Sequence, residues 1–111
     1  MKTRLLLAFV AAVLGSAGVA QARGNPESGK AKAAQVCAAC HGPEGNKPSA
    51  PDQPVLAGQY YDYLVHALSD YKSGKRNNPI MKAFAAQLSR QDIEDLAAWF
   101  SSQKTTLHNR R

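Results

Sequence analysis

The sequence predicts an all-α fold, and three observations carry that expectation. Apolar residues recur at helical spacing in three stretches of the chain. Two connecting segments between them are rich in proline, glycine and asparagine. No run alternates apolar and polar residues as a half-buried strand would.

The first 22 residues are set apart from these stretches. Lys2 and Arg4 form a short positive head, and an apolar run of about 15 residues follows from Leu5 to Val19. That run is short for a bilayer span. Ala20-Gln21-Ala22 supplies the small residues a signal peptidase reads, so residues 1–22 are expected to be a cleaved export signal. The competing reading is an uncleaved membrane anchor. With the signal removed, residues 23–111 form one small domain of about 89 residues. A chain of that size usually needs a staple, such as a disulfide, a metal or a cofactor, to hold a core.

The first helical stretch covers Arg23 to Gln35. Asn25 is its N-cap, Pro26 suits the first helical position, and Glu27 complements the helix dipole. Ala31, Ala33, Ala34 and Val36 carry it into Cys37-Ala38-Ala39-Cys40-His41, and Gly42-Pro43 stops it.

Those five residues read C-x-x-C-H, the attachment pattern of a c-type haem. Cys37 and Cys40 lie on one side of a helical turn and can each add to one haem vinyl group. His41, one step further round, is placed to bind the iron from one face. The competing readings have little support. A thioredoxin-like pair needs a βαβ context, which is absent. A zinc site needs four ligands, and no second Cys-x-x-Cys or His-x-x-x-His exists. A disulfide would leave His41 without a role. The staple is therefore expected to be one covalent haem c, and the haem-free chain to be largely unfolded.

Gly42 to Gly58 reads as a long loop, with Pro43, Pro48, Pro51 and Pro54. Its length makes sense if it wraps a cofactor edge. The second helix is expected over Gln59 to Ser73. Tyr60, Leu64, Ala67, Leu68 and Tyr71 share an apolar stripe, Asp62, His66, Ser69, Asp70 and Ser73 share the polar face, and Gly74 is the C-cap. A second loop, Lys75 to Phe84, leads to the last helix. Ser89 is that helix's N-cap and Asp92 lies three residues on, close to a capping box. Ile93, Leu96, Ala97 and Phe100 make its apolar stripe, with Trp99 beside it. Lys104 to Arg111 is polar and expected to fray.

The second axial position separates an electron carrier from a haem that reacts. A strong second ligand keeps small molecules off the iron; an open position admits them. Met81 is the one methionine beyond the signal segment, and it sits in a loop that can fold over the haem face opposite His41. Its thioether is a soft ligand that favours ferrous iron. Simple core packing is the competing role for a lone methionine. His66, among Asp62 and Asp70, reads as a surface histidine, and His108 lies in the tail.

Taken together, the chain resembles the class I c-type cytochromes, more closely the small bacterial single-haem kind and the half-units of periplasmic dihaem cytochromes. The resemblance rests on Gly29, Cys37 to Gly42, Pro54-Val55-Leu56-Ala57-Gly58-Gln59, Asn78-Pro79-Ile80-Met81, Leu88-Ser89 and Leu96-Ala97-Ala98-Trp99. It implies a class I cytochrome c fold, three main helices and loops around one covalent haem. It implies thioether bonds at Cys37 and Cys40, axial ligation by His41 and Met81, and a Pro54 carbonyl accepting from His41 Nδ1–H. It also implies that Gly29 lets the first helix approach the last against Leu96 and Trp99. Where the family usually has an aromatic four residues after that glycine, this chain has Ala33.

The expected function is a periplasmic one-electron carrier rather than an enzyme, serving redox partner proteins whose identity the sequence does not name. The full chain has a formal charge of +6, and about +4 remains once the signal is removed. These charges are scattered, without a nucleic-acid-binding pattern. Lys72, Lys75, Arg76 and Lys82 surround the Met81 loop and could ring a docking surface or form an ordinary solvated face. The alternatives are a haem subunit of a larger oxidoreductase complex, or a haem enzyme or gas-binding protein with a displaceable sixth ligand.

Overall fold

The computed structural model describes residues 23–107, and among them every regular element is a helix. In chain order these are α1 Pro26–Val36, α2 Ala38–His41, α3 Tyr61–Ser73, α4 Pro79–Ala85 and α5 Arg90–Ser101. The export signal expected over 1–22, and His108, lie outside the described residues.

Local chemistry sets each start and stop. Asn25 Oδ1 accepts from the backbone N–H groups of Glu27 at 2.9 Å and Ser28 at 3.2 Å, and Pro26 occupies the first turn. The helix so begun breaks at Cys37 and resumes as α2, which Gly42 ends at φ +83°. Gly74 ends α3 in the left-handed region at φ +84°, as its glycine allows. Ser89 opens α5 with a complete capping box: its hydroxyl accepts from Asp92 N–H at 3.0 Å, and the Asp92 carboxylate accepts from Ser89 N–H at 2.8 Å.

Two expectations are corrected. The segment expected as a second loop contains α4, because Asn78 caps it and Pro79 fits its first turn. The start of α3 is also displaced. Tyr60 is the N-cap residue and stands 64% exposed, so the core-facing side of the helix is formed by Tyr61, Leu64, Val65 and Leu68.

Packing is organised on α5. Helix α1 crosses it, α3 packs beside it, and α4 packs on α3. Ile93, Leu96, Ala97 and Phe100 of α5 join Ala33, Leu64 and Leu88 in one buried cluster. At the α1–α5 crossing, a Cβ on Gly29 would fall 2.0 Å from the Asp95 carbonyl oxygen. The backbones therefore meet with no room for a side chain. Ala33, in place of the family's aromatic, is fully buried beside that contact. Buried Asp95 completes the crossing: its Oδ1 accepts from Asn25 N–H at 2.7 Å and from Gln91 Nε2 at 2.8 Å.

Candidate haem-attachment site

The break between α1 and α2 brings the three chemically distinctive residues onto one turn. The Cys37 carbonyl accepts from the backbone N–H of His41 at 3.0 Å and of Cys40 at 3.3 Å. No disulfide joins Cys37 and Cys40. Burial pushes the Cys37 thiol up to about 11, because the anion would lose its hydration.

The loop after α2 folds back over this turn. Ser49 N–H donates to the Cys40 carbonyl at 2.9 Å, and Lys47 N–H to the His41 carbonyl at 3.3 Å. Gln53 Oε1 gathers the N–H groups of Ser49 and Ala50 and tightens the segment between. The loop then places the Pro54 carbonyl 3.0 Å from His41 Nδ1.

That contact fixes the ring's donor. A carbonyl oxygen only accepts, so Nδ1 carries a proton, and Nε2 is the nitrogen whose lone pair the neutral ring presents. His41 is buried, with 6% of its surface exposed, which holds the ring in this orientation. An imidazole fixed through Nδ1–H, with Nε2 open, is the form that ligates a metal.

The loop is fastened to the core at several points. The Gly45 carbonyl accepts from Leu56 N–H at 2.7 Å and Ala57 N–H at 3.1 Å. Gly58 N–H donates to the Phe100 carbonyl at 2.8 Å. Gly45, at φ +76°, lies against the Phe100 ring, where a Cβ would sit 2.7 Å from Cδ1. Asn46 Oδ1 is buried without a hydrogen-bond partner.

Met81 occupies the first turn of α4, where its backbone N–H donates to Asn78 Oδ1 at 3.0 Å. Its side chain is half-buried, while neighbouring Ile80 and Phe84 are exposed. His66 is solvated on α3, paired with Asp70 at 3.3 Å. A shallow cavity of about 510 Å³ between α3 and α5 is lined by Val65, Lys72, Arg90, Ile93 and Glu94 among others, away from the thiol pair.

Sequence reasoning missed two contributors. Asn78-Pro79 is a helix-start signal of the same kind as Asn25-Pro26, and it marks α4. The indole of Trp99 donates from Nε1 to the Pro43 carbonyl at 2.9 Å, a contact across 56 residues that no local pattern announces.

The residues present fit a covalent haem: two thiols and an imidazole on one turn, with the imidazole nitrogen facing away from Pro54 left to bind iron. An all-helical chain of this design is a c-type haem protein. The Cytochrome c family model matches residues 26–104, and the chain belongs to that family, with one covalent haem c as its cofactor. Over 102 residues the chain is 47% identical to cytochrome c4 of Pseudomonas aeruginosa, a match covering 92% of this chain and 50% of that protein. It is 40% identical over 95 residues to a thiosulfate dehydrogenase electron acceptor of Stutzerimonas stutzeri, covering 83% of this chain and 44% of that one. The crystal structure of reduced recombinant cytochrome c4 from Pseudomonas stutzeri is similar with a TM-score of 0.67 and 46% identity, over 73% of this chain and 46% of that one. The chain spans about half the length of these relatives.

Proposed function

We propose that the protein is a periplasmic one-electron carrier. When bound, its haem supplies an iron centre that gains and loses one electron. Cys37 and Cys40 hold the haem by thioether bonds, and His41 Nε2 ligates the iron. Met81, on α4, would supply the second iron ligand. Pro54 orients His41 and raises its basicity. Residues 1–22 direct export, and residues 23–111 are the haem domain. No helix among the described residues is long and apolar enough to cross a membrane.

The observation that carries this reading is the hydrogen bond of His41 Nδ1 to the Pro54 carbonyl, which supports Nε2 as the ligating atom. The partners are redox proteins. One relative is named as the electron acceptor of a thiosulfate dehydrogenase. That supports a second reading, in which this chain serves one fixed dehydrogenase rather than a diffusing set of partners.

The test is the visible spectrum of the exported protein. The wild type should show covalent haem and, in the ferric form, a weak far-red band from sulfur ligation. In Met81→Ala that band should vanish and exogenous ligands should bind the iron. An unchanged spectrum in the mutant would overturn the Met81 assignment and return the haem enzyme or gas-binding reading to the front.

A further inference from the structure

Trp99 reaches from the last helix to the segment that carries His41. Its Nε1–H donates to the Pro43 carbonyl at 2.9 Å, and Pro43 lies two residues beyond His41. The indole is anchored at its own base, because the Trp99 Cβ sits at the α1–α5 crossing, 2.9 Å from where a Gly29 methyl would be. Lys30 of α1 covers the ring, its Nζ 5.6 Å from the centroid. The donor is therefore held from both helices of the crossing.

The next residue, Phe100, fastens the far side of the same loop. Its carbonyl accepts from Gly58 N–H, and its ring lies against Gly45. Between Pro43 and Gly58 stands Pro54, whose carbonyl orients His41. Two adjacent residues of α5 thus grip both ends of the loop that aims the imidazole. Phe100 does so with an apolar ring and a backbone carbonyl, as a core residue would. Trp99 spends a directional donor on one carbonyl, and that choice has a consequence for the ligand.

We infer that Trp99 is a positioning residue for haem ligation: its N–H–Pro43 bond fixes the loop so that the Pro54 carbonyl keeps its hold on His41 Nδ1–H. The inference rests on the reading of His41 as axial ligand. Without the bond, the start of the loop is free to shift and the Nδ1–H contact weakens. The imidazole then becomes a poorer donor to iron, which disfavours the ferric state.

Trp99 is the one tryptophan of the chain, so replacing tryptophan throughout alters this side chain alone. Incorporating benzothienylalanine substitutes sulfur for the indole N–H and keeps the ring's shape. The holoprotein should then show two changes. The ferrous-to-ferric ratio at a fixed applied potential should rise about threefold, a fraction of what outer-shell substitutions cost directly. The hyperfine-shifted His41 Nδ1–H resonance should move and exchange faster with solvent. Trp99→Phe repeats the measurement if the analogue does not accumulate. A lower melting temperature with the ratio and the His41 resonance unchanged would reduce Trp99 to helix packing and overturn the inference. A parent protein without a His41 signal would instead defeat the ligand assignment itself, and this inference with it.

Discussion

Gly29 sits so close to Asp95 that a methyl group on it would lie 2.0 Å from the Asp95 carbonyl oxygen. The same methyl would lie 2.9 Å from the Trp99 Cβ. The first of these neighbours is backbone and cannot rotate away. Ahead of α1, Gly24 makes the same demand: its Cβ would fall 2.0 Å from the Glu94 carbonyl oxygen. Gly29→Ala must therefore push α1 off α5. The expected cost is about 3 kcal/mol or more, at the upper end for overpacking a core. Denaturant unfolding of the holoprotein measures it. A loss under about 0.5 kcal/mol would mean that the crossing yields and that the glycine is not required there.

The capping box of α5 makes a pH prediction. Its backbone bond from Ser89 is the largest influence holding the Asp92 carboxyl below its usual range, and Lys32 at 3.3 Å adds to it. A carboxyl depressed in the folded state binds fewer protons there than in the unfolded chain. Its contribution is therefore present at neutral pH and is lost as pH falls through the carboxylate range. Asp92→Asn should cost about 1 kcal/mol at pH 7, the usual worth of a cap. It should also flatten the acid limb of the stability curve. An acid limb as steep in the mutant as in the wild type would show that other carboxylates govern it.

Haem and folding should be coupled. Phe100 and Leu96 are the largest fully buried side chains among the described residues, a small core for about 89 residues. The haem-free chain is expected to show little helix by circular dichroism and to alkylate Cys37 at the rate of an unfolded thiol. The Cys37 thiol distinguishes the alternative. In a folded haem-free chain it would titrate near 11 rather than 9.0. Alkylation near neutral pH would then be about a hundredfold slower. Such a state would lose stability between those two values, because the unfolded thiol ionises first as pH rises. A protected Cys37 with high helix content would sink the coupling.

How much of this was legible in the sequence follows the range of the interactions. Asn25, Ser89, Gly74 and the C-x-x-C-H turn act within four residues, and each stands where its local pattern puts it. The Pro54 carbonyl was reachable only through the family resemblance, since its contact with His41 spans 13 residues of irregular loop. Helix α4 carried a legible signal in Asn78-Pro79, but seven residues gave too little apolar periodicity to stand out. Tyr60 shares helical spacing with Leu64 and Leu68, but it stands outside the helix as an N-cap in extended backbone, so that spacing does not carry it onto the core face. Trp99 to Pro43 depends on how α5 crosses α1, which no local pattern encodes.

Docking should depend on fewer cations than the sequence suggests. Of the four around α4, Lys72 donates to the Leu88 carbonyl and so braces its own fold. Arg76 donates to the Tyr63 hydroxyl at 3.2 Å and lies over the Tyr71 ring at 4.8 Å, which fixes its guanidinium. Lys75 and Lys82 are exposed, with the Lys82 ammonium near Gly74, and Ile80 and Phe84 of α4 are exposed as well. Exposed apolar side chains together with exposed cations suit brief docking to an acidic redox protein. Electron-transfer rates with such a partner should fall as salt rises, since screening weakens the steering field. Reversing both charges, in Lys75→Glu with Lys82→Glu, should slow the low-salt rate about tenfold and remove most of the salt dependence. Lys72→Ala should lower stability more than rate, because its ammonium serves the Leu88 carbonyl. Stopped-flow rates across a salt series separate the two effects, and rates indifferent to salt in the wild type would remove the docking role of this face.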